Sequence, residues 1–250
     1  MQTLEGFIRQ RKEIRHLIAD TIIIGPRASG KTSLASLWTN ALTDVVGQVA
    51  SYQWTIYQGD LCEFAEESGI DSEIDMERTY IPTLRIRVRD YPGEERFRRE
   101  ALNHIGQFDK KVVLILVLLV EFADGQFHDV HKNSTYYNAQ FVHAIRQCLS
   151  TAEHKISSVF VVFNKSDLLP SHWDDTTAIN KIKQANKAAI ENIEQCFGEE
   201  VRYKVTSALT NRNIINVVGE IGTSTLAEPD KKNRLQDWIE QQGRMAEKNG

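Results

Sequence analysis

Polar and apolar residues alternate strictly between Thr83 and Asp90, with Leu84, Ile86 and Val88 on one side and Arg85, Arg87 and Arg89 on the other. A period of two predicts a strand with one wet or partner-facing side. The run from Val112 to Val120 is apolar throughout, which suits a strand buried on both faces and is too short to span a bilayer. Shorter apolar runs predict strands at Ile18 to Ile24, Ser158 to Phe163 and Val201 to Thr206, and aromatic and β-branched residues predict another at Ser51 to Tyr57.

Helical spacing takes over between these runs. Leu34, Leu37, Trp38, Ala41 and Leu42 form one apolar stripe, as do Phe141, Ile145, Cys148 and Leu149. A longer stripe from Thr176 to Phe197 carries Ile179, Ile182, Ile190, Ile193 and Phe197 and predicts a single helix. Charged residues from Glu94 to Glu100 predict a short helix, Asn213 to Ile221 predicts another, and the stretch near His128 to His131 reads as a loop. Residues 3 to 17 read as an amphipathic helix that packs on the main domain or meets a partner. At the other end, residues 222 to 228 read as a linker before a helix capped by Asp230.

Composition narrows the class. The chain has 250 residues, 41% hydrophobic and 26% charged, which is ordinary for a globular protein and argues against disorder. A net charge of -4 with no basic run gives no footprint for nucleic acid. Cys62, Cys148 and Cys196 are far apart and predict neither a disulfide framework nor a zinc site, so a reducing, cytoplasmic setting fits. No membrane anchor is seen. Between Asp60 and Glu77 lie eight acids with no lysine or arginine, which reads as a solvated insertion or an acidic docking surface. His128 and His131 lack a third ligand and make a weak metal motif.

Candidate chemistry begins at Gly25-Pro26-Arg27-Ala28-Ser29-Gly30-Lys31-Thr32, between an apolar run and an amphipathic segment. Such a loop wraps backbone N–H groups around phosphates, at the N-terminus of a helix whose dipole favours anions. Lys31 is placed to reach the β and γ phosphates and Thr32 to offer its hydroxyl to Mg2+. Asp90 leaves a strand where it can hold Mg2+ through water, and Gly93 can bring its N–H to the γ-phosphate. Asn164-Lys165-Ser166-Asp167 follows another strand. One carboxylate, Asp167, can accept from the paired N1–H and 2-amino donors of guanine, which adenine lacks. Asn164 ties this loop to the phosphate loop, and the Lys165 stem lies over the base. Ala208, within Ser207-Ala208-Leu209, is small enough to let a backbone N–H approach the guanine carbonyl.

In order and approximate spacing, these motifs resemble those of the Ras-like small GTPases, over about residues 18 to 221. The resemblance implies an α/β P-loop NTPase fold: a six-stranded, mostly parallel sheet with helices on both faces. It also implies GTP and GDP as ligands, Mg2+ as cofactor, and a switch between two nucleotide states. The nucleotide-contacting set would be Gly25, Ser29, Gly30, Lys31, Thr32, Ser33, Gly93, Asn164, Lys165, Asp167, Ser207, Ala208 and Leu209. Thr32 and Asp90 would serve the metal, and a protein effector or regulator would meet the surface near Arg85 to Glu100.

Departures from the pattern bear on hydrolysis. Arg27 stands where the family often has glycine; it can obstruct an arginine finger, act as a cation in cis, or face solvent. Glu94 replaces the glutamine that orients the attacking water, and a carboxylate cannot donate to the γ-phosphate unless protonated. With Lys31, these two are the catalytic candidates. The switch threonine is Thr43, Thr55, Thr79 or Thr83, and residues 59 to 82 form either an enlarged switch or an insertion. Besides a hydrolysing GTP switch, the residues allow a nucleotide-stabilised interaction module with little catalysis. They also allow a P-loop ATPase or kinase, if Asn164 to Asp167 is coincidence.

Overall fold

The computed structural model describes residues 17–40, 44–50, 55–61, 84–94, 97–108, 112–150 and 156–225. Apart from Leu17, which opens the first strand, the expected helix at 3 to 17 lies outside these residues, as do the helix expected after Asp230 and most of the acidic stretch. A seven-stranded sheet runs through the centre in the order β2-β3-β4-β1-β5-β8-β9. Its strands are β1 (Leu17–Ile24), β2 (Asp44–Ala50), β3 (Thr55–Leu61), β4 (Leu84–Asp90), β5 (Val112–Leu118), β8 (Ile156–Phe163) and β9 (Val201–Val205). Strands β4, β1, β5, β8 and β9 are mutually parallel, and β3 is antiparallel to both β4 and β2.

The sheet therefore has one strand more than expected. The segment after the first helix supplies an additional edge strand, β2, and the strand expected at Ser51 to Tyr57 is instead β3, starting at Thr55. Position 47 of β2 is glycine, at a register shift against β3, so the segment carries too weak a signature to be read as a strand.

Residues of opposite parity on the central strands feed two separate cores, the consequence of a side-chain period of two. On one face, Ile23 of β1 and Val113, Ile115 and Val117 of β5 pack with Leu34, Ala35 and Trp38 of α1 (Lys31–Asn40) and with Val217, Val218 and Ile221 of α7 (Ile214–Thr225). On the other, Ile22, Ile24, Leu114, Leu116 and Leu118 meet α2 (Arg98–Ile105), α4 (Ala139–Leu149), α5 (Asp175–Ala185) and α6 (Lys187–Phe197). Helix α7 runs on through Thr225, into what reads from sequence as a linker.

Two further expectations need correction. The stretch after β5 is no simple loop: it forms a hairpin, β6 (Glu121–Ala123) and β7 (Gln126–His128), followed by helix α3 (Val130–Tyr136). Asp124 and Gly125 both take positive φ, 51° and 74°, as a two-residue hairpin turn of this type requires. The hairpin presents Phe122 and Phe127 edge-on to each other at 4.9 Å, with Trp173 5.5 Å from Phe122.

The helix expected over 176 to 197 is two helices, parted at Asn186 (φ -104°, ψ 28°). Buried Asn186 donates from Nδ2 to Ile182 O at 3.0 Å and accepts from Asn133 Nδ2 at 2.7 Å. Asn133, wholly buried on α3, also donates to Leu119 O at 2.8 Å and accepts from Leu119 N at 2.9 Å. Asn133 thus satisfies the Leu119 backbone groups just beyond β5, and Asn186, at the break, accepts the remaining Asn133 amide hydrogen.

Candidate functional site

Parallel strands leave their C-terminal ends along one edge of the sheet, and the loops that follow β1, β4, β8 and β9 meet there. Residues 25 to 30 form the loop between β1 and α1. Ala28 (φ 65°) and Gly30 (φ 84°) both lie in the left-handed region, which for alanine costs on the order of 1 kcal/mol. Gly30 cannot be replaced without movement, because a Cβ there would stand 2.1 Å from Asn164 Nδ2. The first helical bond runs from Leu34 N to Gly30 O at 3.0 Å. Gly25 is buried at the strand end, while Ser33 lies exposed on the first turn of α1.

The loop is anchored from behind by a residue that sequence reasoning missed. Tyr137, completely buried, shares its hydroxyl proton between Val117 O at 2.8 Å and Ile24 O at 3.0 Å, the last carbonyl before the loop. Burial pushes its pKa well above the ordinary value, so the hydroxyl stays a donor. Only its place immediately before Asn138, the cap of α4, could have flagged it.

At the phosphate end, Lys31 is 6% exposed and donates from Nζ to Pro26 O at 3.0 Å. Burial lowers its pKa, against the raising influence of the Asp90 and Glu94 carboxylates. Thr32 Oγ1 donates to Asp90 Oδ2 at 2.6 Å. Burial raises the Asp90 pKa, while the Thr32 bond and Lys31 lower it. Asp90 Oδ1 and Ser29 Oγ are buried without a hydrogen-bond partner among the described residues. A hydroxyl and a carboxylate side by side, one oxygen uncommitted, are the hard donors that Mg2+ takes, so the pair fits the expected cation.

Gly93 lies directly against this loop, where a Cβ would meet Arg27 N at 2.4 Å. Glu94 is half-buried and Arg27 is exposed. The arginine face of β4 is less open than its alternation implies: Arg89 is half-buried, with its guanidinium 4.2 Å above the ring of Phe108. The charged helix expected from Glu94 begins at Arg98.

The other end of the site is densely bonded. Asn164, 2% exposed, donates from Nδ2 to Ser29 O at 3.2 Å and accepts at Oδ1 from Ala208 N at 3.2 Å. Lys165 turns the chain in the left-handed region (φ 68°), and Ser166 N donates to Thr206 O at 3.0 Å. Asp167 is exposed and accepts from Ser207 Oγ at 2.5 Å. The expected tie between Asn164 and the phosphate loop is therefore present. The Ala208 N–H is directed at Asn164 Oδ1, and Leu209 is 81% exposed.

Register decides where the acidic stretch attaches. Thr55 pairs with Asp90 and Leu61 with Leu84, so the 62–83 connection leaves and rejoins the sheet at the end opposite the phosphate loop. Among the threonine candidates, Thr55 sits at the loop end of the sheet; Thr43, Thr79 and Thr83 lie outside the described residues. His128 bonds Ala123 O at 3.2 Å, and no group of three or more metal-ligating side chains occurs among the described residues. Cys148 and Cys196 are free thiols, and no described helix is long and apolar enough to cross a membrane.

The strand order, the loop between β1 and α1 and the helices on both faces define an α/β P-loop NTPase fold. Within that class the chain has the fold of the small GTPases. It is similar to the structure of the Arl6 BBS3 small GTPase from Trypanosoma brucei with bound nucleotide analogue GppNp, with a TM-score of 0.50 and 13% sequence identity. The likeness covers 83% of this chain and 97% of that one. No family model matches the sequence, and no curated protein does.

Proposed function

We propose that this chain is a guanine-nucleotide switch that binds GTP and GDP with Mg2+ and hydrolyses GTP slowly, through a unit spanning about residues 18 to 221. One observation carries the reading. The Asn164 amide joins the Ser29 carbonyl of the phosphate loop to the Ala208 N–H of the last loop. Two segments far apart in sequence are thereby fixed as one rigid platform, with Asp167 on its edge.

On that platform the loop N–H groups and the N-terminus of α1 receive the phosphates. Lys31 exchanges a neutral carbonyl, Pro26 O, for phosphate oxygens, and the phosphate charge restores the ammonium that burial disfavours. Thr32 and Asp90 would hold Mg2+, which when bound neutralises charge on the β and γ phosphates. Asp167 accepts from the paired donors of guanine, and the Lys165 stem covers the base plane. Gly93 senses the γ-phosphate through its N–H, and loss of that phosphate frees the Asp90 to Glu100 segment for exchange of partners. Glu94 takes a proton from the attacking water, while Arg27 offsets developing charge from the solvent side.

Nucleotide titration of Asp167→Asn tests the base assignment. Affinity for guanine should fall by roughly 100-fold, the worth of two charge-assisted bonds. Affinity for xanthine, whose 2-carbonyl accepts from the new amide, should rise. Unchanged base preference overturns the assignment.

A second reading, an interaction module with little hydrolysis, is favoured by the carboxylate of Glu94, which acts on Lys31 electrostatically and cannot donate to a γ-phosphate. Single-turnover phosphate release separates the two. Release that Lys31→Ala abolishes selects the enzyme.

A further inference from the structure

The phosphate loop leaves the sheet through one peptide group, Ile24–Gly25, and that group is held at both of its polar atoms. Pairing between β1 and β5 ends at Ile24 and Leu116. Just beyond that last pair, Ile24 O and Val117 O converge on the Tyr137 hydroxyl, at 3.0 and 2.8 Å. The other polar atom of the group is the Gly25 N–H. Burial raises the Tyr136 pKa, and a backbone hydrogen bond from Gly25 lowers it. Only a donor stabilises the phenolate, so the bond comes from the Gly25 N–H.

Position 25 has to be glycine, because a Cβ there would stand 2.4 Å from Val117 O. The freedom of glycine then leaves the orientation of the peptide plane to be set by groups outside the loop. Pro26 follows with its φ fixed by its ring, so a rotation of the plane is passed on to the loop. The groups that hold the plane are themselves rigid. Tyr137 is wholly buried, its N–H donates to Asn133 O at 2.8 Å, and its carbonyl accepts from Asn192 Nδ2 of α6 at 2.9 Å. Tyr136 is 6% exposed, and the two rings meet edge to face at 5.1 Å.

We infer that Tyr136 and Tyr137 act together as positioning residues for the phosphates of the nucleotide, by gripping the two sides of the Ile24–Gly25 peptide plane from which the loop springs. The mention of nucleotide rests on the function proposed above; the grip does not. Their contribution is preorganisation, since loop amides already aimed at an anion need no reordering when it arrives. The base end has its own tie, from Asn164 to Ser29 O at the far side of the loop, and keeps its preference when the grip is loosened.

Hydrogen–deuterium exchange on the full chain reads the grip without reference to any ligand. Tyr137→Phe and Tyr136→Phe keep both rings and remove one hydroxyl each. Exchange over residues 24 to 33 should quicken by roughly tenfold in Tyr137→Phe and roughly threefold in Tyr136→Phe, the worth of one or two neutral hydrogen bonds, with α7 unchanged. The double variant should match Tyr137→Phe, because a plane released on one side gains little from the other. Tyr203→Phe, which takes a hydroxyl from Glu194 on β9, should leave the loop as it was. Titration with GDP and ADP follows in parallel. GDP affinity should fall by the same factors, while the preference for guanine over adenine stays at its wild-type value.

Loop exchange equal to wild type in both single variants overturns the proposal. So does a double variant showing the product of the two single effects, which marks two separate bonds that only add stability, or a quickening that extends equally through α7. Should Tyr137→Phe not fold, Tyr136→Phe decides alone, by loop exchange against α7. Absence of GDP binding on wild type counts against the nucleotide reading, and the grip still stands or falls by exchange. Unchanged GDP affinity beside a faster loop, or a lost base preference, overturns the role in placing phosphate.

Discussion

The two ends of the candidate site are built on opposite principles. At the base end, most polar groups find each other within the protein: Asn164 is bonded on both sides of its amide, Asp167 holds Ser207, and Thr206 is tied by backbone bonds to β8 and to Ser166, whose own buried hydroxyl is the exception, without a partner among the described residues. At the phosphate end, charge is buried without full compensation. Asp90 Oδ1 and Ser29 Oγ have no hydrogen-bond partner among the described residues, Lys31 rests on a carbonyl of its own loop, and burial disfavours the charged forms of both Lys31 and Asp90. One end uses neutral groups that are largely bonded before a ligand joins; the other holds buried charges that a ligand completes. The division teaches that affinity and stability reside in different residues of one site.

The contrast makes opposite demands on variants at its two ends. Lys31→Ala should produce the largest effect, lowering guanine-nucleotide affinity by roughly 100-fold or more while leaving the melting temperature of the nucleotide-free protein unchanged or higher. Fluorescent-nucleotide titration beside thermal denaturation reads both, and a large fall in ligand-free stability would break the division.

Asn164→Ala should do the reverse. By stranding the Ser29 carbonyl and the Ala208 N–H, it should cost about 2 to 3 kcal/mol of ligand-free stability in urea unfolding. An effect confined to nucleotide affinity would show that the base end is not preassembled.

Asp90 sharpens the comparison through pH. Its pKa in the fold is raised above the ordinary 3.8, so it binds more protons folded than unfolded between those two values. Its contribution is fully present below pH 3.8 and is lost as pH rises through its raised value. Asp90→Asn should flatten this part of the stability profile of the ligand-free protein, and a slope identical to wild type would remove Asp90 as its source.

The smallest effect belongs to a cap outside both ends. Asn138 accepts from Phe141 N at 3.0 Å, and Asn138→Ala should cost about 1 kcal/mol in urea unfolding without moving nucleotide affinity.

Much of this was legible in the sequence because it depended on local order. A strand ending in Gly25-Pro26-Arg27-Ala28-Ser29-Gly30-Lys31-Thr32, an arginine-alternating strand ending in Asp90, and an apolar run ending in Asn164 each join a period to a polar terminus. Parallel topology then brings those termini to one edge. What escaped reading depends on contacts between distant segments. Asn186 interrupts a helix whose apolar spacing continues unbroken across it, and its reason for doing so is Asn133, 53 positions away. Strands β6 and β7 have three residues each, too few to express a period, although Asp124-Gly125 was a turn signal in plain view. Arg89 reads as a wet position until Phe108 is seen to cover it.

The register of β3 and β4 also bears on how this protein can be remodelled. Leu61 and Leu84 lie six strand positions from the Thr55 and Asp90 pair, about 20 Å along the sheet. Closing a longer loop there costs little, about 0.6 kcal/mol for each doubling of its length. The junction is therefore a port: a reporter domain or affinity handle spliced between Leu61 and Leu84 would be attached at a point farther from the Asp90 end of the sheet than the reach of screened charge in physiological salt.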